Sequence, residues 1–295
     1  VNVASFRSRI KPILLQIAPK YYYRRIIGQS RREMNVTDLE ILPTLLITYD
    51  AVGKYPTMYD RPQSWYSKKK QGMVFDSKGV PLADVNGNAV YHPVYLIQYG
   101  LSEYSFYILS HDKGHLASAL QIADFLVQQQ DSKTGYWFYS FDFLHEYTGC
   151  LLKAPWASAM AQGQAISLLT RIFYVTKNQK YLKAAMKATQ MLKVPISEGG
   201  LASDLCGHIV FEEYPTVPFS YTLNGFMFCA LGLWDLTRVA DDTAVEGLWN
   251  IASSTLRFMI PLYDGDLMSL YCLSHVTKGN VGRHWAEKYH PLHIK

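Results

Sequence analysis

Apolar residues recur at helical spacing from about residue 93 to the end of the chain, and the segments that carry them come in pairs. The three predicted pairs span residues 95–110 with 113–130, 156–176 with 179–194, and 220–240 with 244–259. The last helix has the plainest signals. Thr243 and Glu246 form a capping box at its start, and Pro261 ends it.

Each predicted helix pair is followed by a glycine-bearing turn and an extended, aromatic segment. These segments cover residues 135–139, 207–211 and 265–271. Helix hairpins that repeat with returning loops are typical of an (α/α) toroid, and we expect an incomplete barrel of this kind over residues 93–295. The return loops of such a fold gather at one end, where a groove for a polymer would lie.

The chain before residue 93 has a different pattern. Residues 36–92 predict strands and turns, with turn signals at Asp76–Gly79 and Asn86–Asn88, whereas residues 1–34 are basic. We therefore predict a first domain, residues 1–92, made of a basic helix and a small β-rich module. Its basic residues either form a solvated helix face or contact an anionic polymer or membrane surface. The overall fold class is mainly α with a β-rich N-terminal module.

Composition narrows the class of protein. AVILMFWYC residues make up 49% of the 295 residues and DEKR residues 18%, which is enough apolar material for a large core. No apolar run approaches the ~20 residues of a membrane span. The net charge of +5 favours an acidic partner. There are 22 tyrosines against 13 phenylalanines, which indicates polar aromatic surfaces, phenols used in chemistry, or a composition bias.

Two adjacent carboxylates and a phenol follow the second aromatic segment. If this segment continues as a strand, Glu212 and Tyr214 share one face and Glu213 points to the other. The alternative is an edge strand whose two glutamates are solvated. The pattern alone leaves both interpretations open.

Two further aromatic positions are candidates for chemistry. Tyr263 lies where the last helix enters a loop, where it could also simply pack. Tyr289 precedes His290, and His293 follows three residues later. No third metal ligand is evident, so we predict no metal site, and a tyrosine–histidine pair that acts on a substrate proton is at least as plausible.

The run of small residues from 154 to 165 predicts a close approach between backbones, with Gly163 at its centre. Gln162 and Gln164 need hydrogen-bond partners if they are buried. They are candidates, with Trp156, for contacts with sugar hydroxyl groups, and close helix packing is the alternative. The chain has no GxGxxG, P-loop or GxSxG motif, and no RNA-binding signature, so nucleotides and nucleic acids are not predicted partners.

Several of these segments, in this order, resemble the C-terminal α-helical domain of the D-glucuronyl C5-epimerases. They are residues 92–101, 156–170, 211–216, 223–226, 232–236, 261–264 and 289–294, and the combination SAMAQGQA, FEEYP and LNGF is specific. The resemblance covers about two thirds of the chain. It implies an isomerase that inverts C5 of D-glucuronate in heparosan or N-sulfoheparosan, giving L-iduronate.

The resemblance also implies roles for individual residues. Glu213, Tyr214 and Tyr289 would be catalytic, with Tyr263 in or near the site, and Asn224 would bind substrate. A tyrosine that acts as a base needs a cation beside it, for which His290 and Arg283 are the candidates. The resemblance further implies an anionic polysaccharide as partner and a homodimer. No cofactor is expected to be required, although a structural divalent cation such as calcium is compatible with it.

Two alternatives to the epimerase remain open on the sequence. A polysaccharide lyase begins with the same abstraction of the C5 proton and then eliminates the O4 substituent. A non-catalytic toroid would bind glycans by stacking. No signal peptide is visible, and the cysteines are scattered, so we expect the cytoplasm of a capsule-forming bacterium, or the Golgi lumen if the chain is eukaryotic.

Overall fold

The computed structural model describes residues 53–55, 72–265, 268–287 and 289–293. Within them, the protein is mainly α-helical with four small antiparallel sheets. The part of the predicted β-rich module before residue 72, apart from residues 53–55, and the basic residues of 1–34 lie outside the described residues.

The described part begins with a three-stranded antiparallel sheet of β1 (Val74–Phe75), β2 (Pro81–Val85) and β3 (Asn88–Val90). Both predicted turns are confirmed. The turn between β2 and β3 has Asn86 and Gly87 at positive φ, and Asp76 accepts a hydrogen bond from the backbone N–H of Val80. The sheet packs against the first helix.

The three predicted helix pairs are present. Their bounds are α1 (Pro93–Ser110), α2 (Lys113–Gln129), α3 (Ala159–Thr176), α4 (Gln179–Lys187), α5 (Leu223–Thr237) and α6 (Thr243–Met259). The capping box predicted at the start of α6 is wrong. Asp242 is the N-cap, and its carboxylate accepts from the N–H groups of Ala244 and Val245, which leaves Thr243 as the first helical residue. A short 3₁₀ turn, Ile260–Tyr263, follows α6.

Each helix pair leads into a small two-stranded sheet. The predicted return segment at 207–211 forms a strand, whereas in 135–139 only Tyr139 pairs, in an isolated bridge with Trp156. The segment at 265–271, described apart from residues 266 and 267, ends in a strand that begins at Leu270. The sheets pair β4 (Phe143–His145) with β5 (Cys150–Leu152), β6 (Ala202–Leu205) with β7 (His208–Phe211), and β8 (Leu270–Cys272) with β9 (His284–Trp285). A 3₁₀ turn at Ile196–Glu198 and the short helices α7 (Ser274–Thr277) and α8 (His290–His293) complete the fold.

Helix α3 is the central element, because residues 159–172 are buried on every side of it. The predicted close approach at Gly163 is confirmed. A Cβ at this position would overlap the backbone of Phe228 and Cys229 in α5. Farther along the same interface, the fully buried side chains of Arg171 and Asp235 form an ion pair. None of the described helices is long and apolar enough to cross a membrane.

Candidate active site

A cavity of about 510 Å³ lies where the β4–β5 hairpin meets the β8–β9 region. Seven aromatic side chains form most of its wall: Phe143, His145, Tyr147, Tyr214, Tyr271, Trp285 and Tyr289. Glu146 and Glu287 add two carboxylates, and within the part of the chain that the structure describes no Lys or Arg lines the cavity. The structure therefore brings the predicted Tyr214 and Tyr289 together, although 75 positions separate them in the sequence.

Glu213 comes two residues after the end of β7 and is buried. Burial raises the pKa of its carboxyl group to about 8. The Tyr214 hydroxyl opposes this shift by hydrogen bonding, nearby Glu212 adds to it, and the Gly225 N–H opposes it. The Oε2 atom of Glu213 has no hydrogen-bond partner among the described residues. At neutral pH this carboxyl group is mostly protonated, with an ionised minority.

Four tyrosine side chains surround the Glu213 carboxyl group: Tyr139, Tyr214, Tyr271 and Tyr289. Burial raises the pKa of each, and the charge of Glu213 is the next largest cause in every case. Tyr289 is the outermost of the four, with 38% of its surface exposed, and its ring lies 5.4 Å from the Tyr271 ring. The tyrosines are therefore proton donors at neutral pH.

Tyr214 occupies the centre of this group. Its hydroxyl lies within hydrogen-bonding reach of both the Glu213 carboxyl group and the Tyr271 hydroxyl. A phenol has one proton, so Tyr214 donates to one of these two groups at a time. Its ring packs against Phe143, with centroids 5.4 Å apart, and His145, at 4.7 Å. The hydroxyl is thus held in place by the packing of the ring.

The prediction that Glu213 and Tyr214 point to opposite faces of a strand is wrong. Strand β7 ends at Phe211, so the two-residue alternation does not continue through these positions. The alternative of solvated glutamates is also wrong, since Glu212 and Glu213 are both buried.

Glu212 has a different environment from Glu213. Its carboxylate accepts hydrogen bonds from Ser203 Oγ at 2.7 Å, Ser220 Oγ at 3.2 Å and the Tyr221 N–H at 3.1 Å. Burial raises its pKa to about 7, and these donors oppose the shift. Glu212 therefore joins β6 to the segment that leads into α5, and it supports the position of Glu213.

Tyr263 lies away from the cavity wall. It is 1% exposed, and its hydroxyl donates a hydrogen bond to the Tyr221 carbonyl. The structure thus gives Tyr263 a packing position with a hydrogen bond to the segment that leads into α5.

Asn224 lies in the first turn of α5, beside Gly225, and is buried. Its Oδ1 atom has no partner among the described residues. Trp156 stacks on Tyr139 with ring centroids 3.9 Å apart and donates from Nε1 to the Phe141 carbonyl. Both residues therefore flank the cluster around Glu213 without lining the cavity.

The two glutamines of α3 lie in the interior of the protein, away from the cavity. Gln162 is fully buried, and its amide group pairs with both the N–H and the carbonyl of Trp137. Gln164 is equally buried, and its amide has no partner among the described residues. The structure brings neither glutamine to the cavity.

The predicted cation beside a tyrosine is not found at either candidate position. His290 accepts a hydrogen bond from the Ser269 N–H at Nδ1, and burial lowers its pKa, so it is neutral near pH 7. Arg283 is exposed and does not line the cavity. The Ser269 hydroxyl lies 2.7 Å from Nδ1 of His293. Within the described ranges, no three His, Cys, Asp or Glu side chains are placed to hold a metal ion.

Sequence reasoning did not single out Tyr139 beside Glu213 or several residues of the cavity wall, among them Tyr271 and His145. Tyr139 and Tyr271 each end one of the aromatic return segments, which was the available signal. His145 had no signal, because a single histidine within a short hairpin has no pattern around it.

Taken together, the helix hairpins and the buried carboxyl–phenol cluster define a protein whose cavity is equipped to hold and transfer protons. The model of the D-glucuronyl C5-epimerase C-terminus matches residues 130–295, more than half of the chain, and the chain belongs to this family.

The curated proteins that are similar to it include the following two. The D-glucuronyl C5-epimerase of Caenorhabditis elegans is 35% identical over 184 residues, which cover 58% of this chain and 30% of the relative. An uncharacterised protein of Methanocaldococcus jannaschii is 25% identical over 172 residues, covering 53% of this chain and 54% of that protein. The chain thus matches less than a third of the length of the nematode epimerase and about half of the archaeal protein.

Proposed function

We propose that this chain is the catalytic part of a polysaccharide glucuronyl C5-epimerase, which inverts C5 of D-glucuronate residues in a heparosan-type polymer. The observation that carries the proposal is Glu213, a buried carboxyl group whose pKa is raised to about 8 among four tyrosines beside one cavity. Inversion at C5 needs one group that removes the proton and a second that returns a proton to the other face. A carboxylate and a phenol fill these two roles.

Glu213 is the base in this proposal. The pKa values of the surrounding tyrosines are all raised, so their phenolate forms are scarce at neutral pH, whereas a raised carboxyl pKa near 8 still leaves an ionised fraction. The ionised Glu213 takes the C5 proton, and the electron pair of the C–H bond moves onto the substrate carboxylate. A proton from the Tyr289 hydroxyl then reaches C5 from the opposite face.

This sequence leaves Glu213 protonated and Tyr289 ionised, so the site must be reset before the next cycle. In this proposal Tyr214 and Tyr271 relay the proton, since the Tyr214 hydroxyl is within hydrogen-bonding reach of Tyr271 and the Tyr271 ring lies 5.4 Å from the Tyr289 ring. Glu213 passes its proton to Tyr214, Tyr214 passes its own to Tyr271, and Tyr271 passes its own to Tyr289. Every group then has its starting proton, and the substrate has gained and lost one.

The surroundings of the site complete the proposal. Asn224 is a candidate contact for the substrate, since its buried Oδ1 is unpaired among the described residues. The basic segments at Arg24–Arg25, Arg31–Arg32 and Lys68–Lys70 are candidate contacts for the anionic polymer. If they bind it, polymer affinity falls as salt increases.

We extend the proposal to the architecture and setting of the enzyme. The three units of helix pair and small sheet support a partial (α/α) toroid. A homodimer, independence from a catalytic cofactor and a structural calcium ion are proposals from the family. The four free cysteines fit a reducing compartment, and the bacterial cytoplasm is the compartment that we propose.

The test is to incubate the protein with heparosan in deuterated water and record proton NMR spectra. We expect deuterium at C5 and iduronate signals, and Glu213→Gln should abolish both. An unsaturated uronate detected by its absorbance would instead show a lyase. Binding of the polymer without exchange or elimination would show a non-catalytic glycan-binding protein, and either result would overturn the proposal.

A further inference from the structure

His145 closes strand β4 and forms part of the cavity wall, 3% exposed, with its ring against that of Tyr214. Its orientation is fixed by Thr148 from the turn of the same hairpin. The Thr148 hydroxyl lies 2.8 Å from Nδ1, and the Thr148 backbone N–H donates to Nδ1 at 3.3 Å. A backbone N–H only donates, so Nδ1 is the acceptor, and the proton of the neutral ring is on Nε2.

The Nε2 atom of His145 is buried and has no hydrogen-bond partner among the described residues. A buried donor without a hydrogen-bond partner destabilises the folded state, so each such group in a native protein calls for an explanation. Burial, followed by the charge of His284, lowers the pKa of His145 to about 4. The imidazole is therefore neutral at physiological pH and offers an N–H donor rather than a positive charge.

The proposed reaction needs such a donor. Removal of the C5 proton moves negative charge onto the substrate carboxylate, and a preorganised donor at that carboxylate lowers the barrier. Among the described residues that line the cavity, none is a Lys or Arg that could meet this charge. A neutral imidazole suits the task, because its N–H stabilises the developing charge without attracting the proton of Glu213 or of a tyrosine.

We infer that His145 is a catalytic residue whose Nε2–H donates a hydrogen bond to the carboxylate of the uronate as C5 is deprotonated. This role rests on the proposed epimerase function and adds to it the group that stabilises the charged intermediate. His284 is the alternative partner for Nε2, because it is the neighbouring charge that acts on His145 and its own Nε2 is also unpaired among the described residues.

The test measures C5 deuterium exchange on heparosan with wild-type protein, His145→Phe and His145→Gln. Phenylalanine keeps an aromatic ring against Tyr214 and removes the donor, whereas the glutamine amide restores an N–H near Nε2. We expect His145→Phe to lower kcat about 100-fold with KM changed less than about threefold, as for loss of one donor to a developing charge. We expect the kcat of His145→Gln to be about tenfold higher than that of His145→Phe.

His208→Phe is the matched control, since His208 also packs against an aromatic ring, that of Phe258 at 4.0 Å, and is not part of the cavity wall. It should keep wild-type exchange, and melting temperatures establish that all variants are folded. Exchange in His145→Phe within threefold of wild type would overturn the role of His145 alone. The role would also be overturned if His145→Gln exchanged no faster than His145→Phe. An equal loss of exchange in His284→Phe would overturn it as well. Absence of exchange in the wild-type protein would overturn the epimerase proposal itself, and this role with it.

Discussion

Gly225 lies directly against Glu213, so that a Cβ on residue 225 would overlap both the Cβ and the Oε2 atoms of the glutamate. Gly225 is in the first turn of α5, and its backbone N–H helps to hold the Glu213 carboxylate. The position of the proposed base is therefore set by the absence of a side chain at 225. The first turn of α5 thus positions the group that is proposed to remove the C5 proton.

Gly225→Ala should accordingly displace Glu213 and lower the rate of C5 exchange by at least about tenfold, because misplacement of a catalytic group by a fraction of an ångström is costly. The control is Gly247→Ala in α6, where an added Cβ meets no atom within 4 Å. That change should leave exchange intact and stabilise the protein by ~0.5–1 kcal/mol. Equal rates in the two variants would show that Gly225 does not position Glu213.

Tyr271→Phe should strongly reduce turnover, because it removes the hydroxyl that passes the proton from Tyr214 towards Tyr289 in the proposed path. We expect a loss of about 100-fold in kcat with substrate affinity largely kept, as measured by exchange rates and by polymer binding. Tyr174→Phe is the matched control, since Tyr174 is 46% exposed at the end of α3. Full activity in Tyr271→Phe would remove this residue from the proton path.

The pH dependence of exchange follows from the raised pKa of Glu213. Because the base must be ionised, the rate should rise with pH and level off above a midpoint near pH 8. Glu213→Gln supplies the control by eliminating this dependence together with activity. A rate that falls between pH 6 and pH 8 would indicate that Glu213 acts as the acid instead.

The free energy of unfolding should fall as the pH rises, whereas the rate of exchange rises. The folded state holds the Glu213 proton more tightly than the unfolded chain, in which the pKa is ~4.3. The stability from the protonated group is fully present below about pH 4 and is lost as the pH rises through about 8. Urea denaturation should show a smaller decline in the free energy of unfolding between pH 5 and 8 for Glu213→Gln than for the wild type.

Tyr263→Phe should affect stability more than catalysis. The substitution leaves the buried Tyr221 carbonyl without the hydroxyl that donates to it, at a cost of ~1–3 kcal/mol. Thermal denaturation checks this, and exchange measured well below the melting temperature should stay within about threefold of wild type. A 100-fold loss of exchange in a fully folded variant would restore Tyr263 to the catalytic set.

The buried ion pair of Arg171 and Asp235 should be important for the α3–α5 interface. Asp235→Ala leaves the guanidinium buried without its carboxylate, and we expect a loss of ~3–5 kcal/mol in the free energy of unfolding. The exposed pair of Lys153 and Asp142 is the control, and Lys153→Ala should cost less than ~1 kcal/mol. Comparable losses for the two variants in urea denaturation would contradict this difference.

Sequence patterns were sufficient to predict the helices and their arrangement in pairs. The apolar repeats, Pro261 and the glycine turns are local signals, because helix formation and chain reversal depend mostly on residues within one or two turns of each other. The same holds for Gly163, whose surrounding small residues indicated a close helix contact. The start of α6 was misassigned by one residue because Asp242 and Thr243 are both good capping residues.

The sequence by itself thus determined a mainly helical protein with repeated hairpins and the motifs of its family. Only the tertiary structure decided which aromatic residues meet at the cavity and which pack beneath it. Tyr271 and His145 come to Tyr214 from distant hairpins, whereas Tyr263 bonds to Tyr221 instead. The physical reason is that the pKa of Glu213 and the pairing of each hydroxyl depend on burial and on distances across the fold, which no local pattern encodes.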